Sequence, residues 1–207
     1  MLVYGVISPH PPIILPEIGR SETKKVQKTI SALEKAAHEL ALAKPDKLII
    51  ISPHPQHGFQ VPLYYLGQNL KPDIEIEEIL VTNPSYSYYC DLGRENQGKI
   101  QNSKERVAII ASGDMSHVLK TDGPYGFNPA GPKLDKIIID GIKNKDIDSL
   151  LNIDERVLNQ GAECGLRSFL FLFGVFKSTP YKPEVLSYEG PFGVGYLVAV
   201  LRPEAEK

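Results

Sequence analysis

The residues best suited to chemistry in this chain are histidines that recur at one kind of place. Ile7-Ser8-Pro9-His10-Pro11 and Ile51-Ser52-Pro53-His54-Pro55 are the same pentapeptide, and each closes a short apolar, β-branched run, Leu2 to Ile7 and Leu48 to Ile51, of the kind that forms buried strands. The flanking prolines hold each backbone extended and withhold N–H donors, so the strand stops and the imidazole projects from a stiff corner. Two imidazoles offered in this way are natural ligands for a transition metal. Pro and Ser are also ordinary turn formers, but turn chemistry asks for no histidine, and the repetition favours a site. A third histidine, His117, follows the apolar run Val107 to Ala111 through Ser112-Gly113-Asp114-Met115-Ser116. There Gly113 lets backbones approach closely, and Asp114 is placed to orient or polarise a neighbour.

Carboxylates complete the candidate set. Glu163, Leu166, Leu170 and Phe173 fall at helical spacing in a helix predicted to start near Asn159, which puts Glu163 on the apolar stripe one turn from the N-terminus. A buried carboxylate needs a compensating cation. The choices are a metal or an ion pair with Arg167 at i+4, and the histidines favour the metal. Glu189, in the Glu189-Gly190-Pro191-Phe192-Gly193 turn, is the rival donor, and Cys164 is a small hydrophobe unless drawn into the site. His57 is either a loop residue or a substrate contact. With Ser52 and Asp114 it makes up the expected substrate-binding group.

The elements that must position these residues follow from periodicity. Ser21 is placed to cap a helix carrying Val26, Ile30, Leu33, Ala37 and Leu40 until Pro45, so the first two strands form a parallel β-α-β unit. Both His corners then share the sheet edge where open α/β folds bind ligands. Val61 to Leu66 and Ile74 to Leu80 are predicted strands around Gly67-Gln68-Asn69, the second half-exposed. Tyr86 to Leu92 reads as a helix ending near Gly93 and Gly98. Thr121 to Pro132 is a predicted loop able to close over a site, its Tyr125 and Phe127 equally suited to packing. Leu134 to Ile142 and Ile147 to Leu151 are predicted helices, and Glu184 to Tyr188 with Val194 to Leu201 are predicted paired strands.

Composition bounds the rest. A chain of 207 residues fits one α/β domain with one sizeable core. A formal net charge of −2 and no lysine/arginine run give no sign of a nucleic-acid footprint, and no nucleic-acid partner is expected. Two cysteines make no disulfide framework and suit a reducing cytosol. Without a basic leader or a membrane-spanning apolar stretch, the expectation is a soluble cytoplasmic protein with no membrane partner.

Taken together, Ile7 to Pro11, Ser52 to His54, Ser112 to His117, Asn159-Gln160-Gly161-Ala162-Glu163-Cys164-Gly165-Leu166-Arg167 and Tyr188 to Tyr196 resemble the class III extradiol ring-cleaving dioxygenases. The resemblance spans nearly the whole chain. It is nearest to the dioxygenase-like half of AmmeMemoRadiSam system proteins and more distant to Memo proteins. It implies a single three-layer α/β/α domain, residues 1–207, around a mixed, partly parallel sheet. It further implies a mononuclear Fe(II) held by His10, His54 and Glu163, with His117 as acid/base and a small catechol-like aromatic and O2 as substrates. The resemblance to Memo-type members, which use a cysteine near this helix, brings Cys164 into play. Zn(II) on the same ligands, serving hydrolysis, is the alternative cofactor. The resemblance also implies a separate AmmeMemoRadiSam-type partner, and a homo-oligomer is the common assembly for soluble proteins.

Overall fold

Strands buried on both faces read as continuous apolar runs, and three such runs form the centre of this protein. The computed structural model describes residues 1–204. The chain runs β1 (Leu2–Ser8), α1 (Pro16–Gly19), α2 (Gln27–Leu42), β2 (Lys47–Ser52), α3 (His57–Leu66), β3 (Glu75–Leu80), α4 (Tyr86–Asn102) and β4 (Val107–Ser112). It continues through α5 (Ala130–Asn144), α6 (Ile147–Leu151), α7 (Glu155–Gly161), α8 (Leu166–Val175), β5 (Tyr181–Glu189) and β6 (Tyr196–Pro203).

The strands form one mixed sheet in the order β3-β2-β4-β1-β6-β5. The first four are mutually parallel, and β6 runs antiparallel to both β1 and β5. The predicted parallel pair β1 and β2 is therefore present with β4 inserted between its members. Alternate residues serve opposite layers. Ile7, Ile49, Ile51, Ile109 and Ala111 pack with Tyr89 of α4, Leu134 of α5 and the phenylalanines of α8. Tyr4, Val6, Leu48, Ile50, Ala108 and Ile110 pack with Leu33 and Leu40 of α2 and Phe59 and Val61 of α3. The result is the expected three-layer α/β/α domain. The edge strand β3 carries alternating polarity, and its Glu75 and Glu77 both bind Lys47, at 2.7 and 2.9 Å.

Four expectations need correction. Between β1 and α2 the chain is a series of short turns, 3-10 at Pro12–Ile14 and Arg20–Val26 with α1 between them, so α2 starts at Gln27 and Ser21 caps nothing. Prolines at the first positions of the Pro12 and Pro16 turns favour this, since their fixed φ is already helical. Val61 to Leu66 is helical. Gly58, Phe59, Val61, Pro62, Tyr65 and Leu66 are its buried residues, a spacing of three and four that an internal proline obscures. The α4 helix continues through Gly93, where an added Cβ would lie 2.2 Å from the Phe171 carbonyl oxygen, so this glycine permits close packing on α8 and does not end the helix.

The last correction bears on the site. The helix predicted across Glu163 is two helices, broken where Ala162 takes a left-handed φ of 50°. Glu163, Cys164 and Gly165 thus form a corner before α8. That corner sits directly on the end of β4, where a Cβ added at Gly113 would lie 2.2 Å from the Cα of Gly165. Gly113→Ala is expected to cost about 2–3 kcal/mol, as overpacking against unyielding backbone does. Gly98→Ala, in open space on α4, is expected to gain about 0.5–1 kcal/mol from helix propensity. Urea denaturation of both variants checks the pair, and equal effects would contradict the contact.

Candidate active site

Because β4 lies between β1 and β2, three adjacent parallel strands deliver His10, His117 and His54 to one edge of the sheet. The rings of His10 and His54 meet edge to face with centroids 5.2 Å apart. His10 is buried, His117 half-buried and His54 exposed. Burial, with the nearby His54 and His57, pushes the His10 pKa down to about 3, so its imidazole is neutral.

The tautomer of that imidazole follows from a chain of bonds that starts at a proline. Pro62 lies inside α3 and has no N–H to give to the carbonyl four residues earlier. That carbonyl, on Gly58, instead accepts the Ser112 hydroxyl at 2.5 Å. A hydroxyl has one proton, so Ser112 Oγ must accept from His10 Nδ1, 2.9 Å away. The Nδ1 of His10 therefore carries the proton, and its Nε2 keeps a lone pair. A histidine ligand held through its other nitrogen in this way is the usual arrangement at a metal.

The Nε2 of His10 looks toward the corner that precedes α8. Cys164 Sγ lies 3.7 Å from it, and the donor atoms of His10, His54 and Cys164 all lie within 4.8 Å of one another. Asp114, Cys164 and His117 form a second such group. Asp114 ties the two together. Its carboxylate accepts from the His10 backbone N–H at 3.0 Å, its own N–H donates to Cys164 Sγ at 3.3 Å, and its carbonyl accepts from Gly165 N–H at 3.0 Å. Burial raises the Asp114 pKa to about 6 and pushes the Cys164 thiol well up.

The backbone of His117 is held by its N–H, which donates to the Ala162 carbonyl at 3.1 Å. Its ring stacks on Tyr125, with centroids 5.3 Å apart and planes at 29°. Its Nε2 is one of three buried side-chain polar atoms that have no hydrogen-bond partner among the described residues. Burial lowers its pKa, with Asp114 acting in the opposite direction.

The other expected site residues have different surroundings. Glu163 is half-buried, and both its oxygens are engaged, one by the Leu166 N–H at 2.5 Å and the other by the Tyr86 hydroxyl at 3.0 Å. Arg167 does not pair with it; its guanidinium lies over the Tyr86 ring and donates to the Pro84 carbonyl. Glu189 accepts from the N–H and hydroxyl of Thr29 at the start of α2. Ser52 shapes the second corner, accepting from His54 N–H and donating to the His54 carbonyl. His57 is exposed at the first turn of α3.

Sequence reasoning missed Asp135. Fully buried on α5, it accepts from Ser116 N–H at 2.8 Å and from the Tyr188 hydroxyl at 2.5 Å, and so clamps the segment that carries His117. Burial raises its pKa to about 6. The available signal was an aspartate beside Leu134 and in step with Ile138 and Ile142 on the apolar stripe.

An open sheet with His donors gathered beyond its parallel strand ends defines an extradiol-dioxygenase-like α/β fold with a candidate metal centre. The chain belongs to the family described as the catalytic LigB subunit of aromatic ring-opening dioxygenase, whose model matches residues 54–199. That match opens on His54 and includes His117, Glu163 and Cys164, while β1 and His10 precede it. The chain is 29% identical to Protein CA_C1420 of Clostridium acetobutylicum over 93% of its own length and 56% of that protein, so it spans about half the length of this relative. It shares its fold with the crystal structure of the uncharacterized protein JW3007 from Escherichia coli K12, at a TM-score of 0.57 and 10% identity, covering 97% of this chain and 99% of that one. No helix among the described residues is long and apolar enough to cross a membrane.

Removing the acceptor of the His10 Nδ1 proton should loosen the site without disturbing its donors. Ser112→Ala is expected to weaken metal binding by about 10–100-fold, the usual cost of losing such an outer hydrogen bond. Competition with a chromophoric chelator measures it, and unchanged affinity would break the link from Pro62 to the ligand tautomer.

Proposed function

We propose that this protein is an Fe(II)-dependent extradiol dioxygenase-like enzyme that opens a catechol-type ring with O2. The observation that carries the reading is His117, a member of the second donor group, whose Nε2 is buried and without a partner among the described residues. An orphaned nitrogen in that position is costly unless a ligand or proton is to meet it. The donor set fits a transition metal. Neutral His10 offers Nε2, and His54 and the Cys164 thiol stand within coordinating reach of it.

In this reading His10, His54 and Cys164 would hold the metal, while Glu163, the donor the sequence favoured, keeps its carboxylate on the Leu166 N–H and the Tyr86 hydroxyl. Bound Fe(II) supplies Lewis acidity to a chelated catechol and electronic coupling to O2. His117, neutral at physiological pH because burial lowers its pKa, accepts the phenolic proton at Nε2 and returns it as the ring opens. The Asp114 carboxylate, in the same donor group, favours the imidazolium so formed. Exposed His57, at the first turn of α3 near His54, contacts the substrate, while fully buried Ser52 serves it only by holding the His54 corner.

A second reading rests on Cys164. A thiol among the donors suits softer metals such as Zn(II), and favours a Memo-like or AmmeMemoRadiSam-type protein that keeps the metal without opening rings. In that reading the protein works with a separate AmmeMemoRadiSam-type partner.

The test is purification under argon with Fe(II) offered, followed by metal analysis and oxygen uptake with a panel of catechols. One equivalent of iron and uptake with a catechol are expected. His117→Ala should keep the metal and lose on the order of 10²–10⁴-fold in turnover, the range for a general acid/base. Cys164→Ala should lower metal occupancy more than Glu163→Gln. Normal turnover by His117→Ala would remove the acid/base role, and the reverse metal ranking would restore Glu163. Iron bound with no uptake on any catechol would leave the second reading.

A further inference from the structure

The loop between β4 and α5 carries two aromatic rings that the core does not use, with Tyr125 64% and Phe127 52% exposed. Such rings normally bury themselves, and here one of them lies on His117. The loop's base is firmly held. Leu119 N–H donates to the Gly193 carbonyl, Lys120 Nζ to the Pro191 carbonyl, and Asn128 N–H to the Val118 carbonyl, while Leu119 and Phe127 form a β-bridge. Gly123 lies against Gly193, where an added Cβ would be 3.1 Å from its Cα. At the tip the turn closes on itself through Gly126 N–H to the Gly123 carbonyl, and Gly126 has a φ of 74°, a backbone conformation that favours glycine.

This construction holds a planar ring against the His117 imidazole, with 5.3 Å between centroids, and leaves most of the ring uncovered beside it. Packing does not require it, because the ring is mostly in water. What a rigidly presented aromatic face offers beside a proton-accepting nitrogen is stacking with a second planar ring.

We infer that Tyr125 is a specificity-determining residue of the site, selecting planar aromatic substrates by stacking while His117 takes the proton. The inference rests on the catechol reading above. It gives a function to the loop that the sequence left divided between packing and covering a site.

The experiment uses the full chain loaded with Zn(II), which is redox-silent, and two chelating probes. Nitrocatechol, followed by its own absorbance, carries an aromatic ring; acetohydroxamate, followed by competition, does not. Tyr125→Ala is expected to weaken nitrocatechol about tenfold, the effect of losing one favourable ring–ring contact, and to leave acetohydroxamate unchanged. Tyr125→Phe should bind both as the parent does. Because the chain contains no tryptophan, Tyr125→Trp adds a sole reporter whose emission nitrocatechol should quench. Equal weakening of both probes, or of neither, would overturn the assignment of Tyr125, as would unquenched tryptophan when absorbance reports binding. Parent protein that binds acetohydroxamate but not nitrocatechol would remove the catechol reading itself, and this inference with it.

Discussion

Two glycines in backbone contact make the rest of the site possible. With no side chain at Gly113 or Gly165, the end of the central strand β4 and the corner before α8 come within van der Waals reach of each other. The contact lets the Asp114 carbonyl take both N–H groups of Cys164 and Gly165, and lets the Asp114 N–H meet the Cys164 sulfur. The same aspartate then reaches across to β1 and holds the backbone of His10. One close approach of main chain therefore joins three separate segments. Side chains at those two positions would hold the segments apart and leave the donor groups without a centre.

Burial shifts each of the ionisable groups here toward its neutral form. His10 is neutral well into acid, Cys164 is a thiol, and Asp114 and Asp135 both titrate near 6. Desolvation is the leading cause in each case, which is what a site closed to water does to ionisable groups. A cation arriving among them reverses that balance, favouring thiolate and carboxylate together. Metal affinity and the protonation of the pocket are then two expressions of one electrostatic state.

The fold was legible because strands buried on both faces leave long β-branched runs in the sequence, and the three histidines were legible because each ends such a run. What the sequence concealed has physical reasons. The spacing of Glu163, Leu166, Leu170 and Phe173 continues across a break that rests on the left-handed backbone of Ala162, a conformation that an alanine does not advertise. Pro62 disguised a helix as a strand. Gly93 passed for a helix stop because its use, contact with α8, is tertiary. Cys164 was legible only as one of several candidates, since its place beside His10 depends on that unadvertised turn. Asp135 was hidden by the general expectation that an aspartate faces water, although its position on an apolar stripe marked it.

The proline in α3 has a consequence for how this chain can change. A backbone amide at residue 62 would compete for the Gly58 carbonyl, free the Ser112 hydroxyl to turn, and let the His10 proton move to the other nitrogen. Position 10, positions 58 and 62 of α3, and position 112 come from three separate stretches of the sequence yet depend on one proton's address. A change at any one of them is therefore felt at the other three, and the helix defect and the imidazole it orients behave as a single unit.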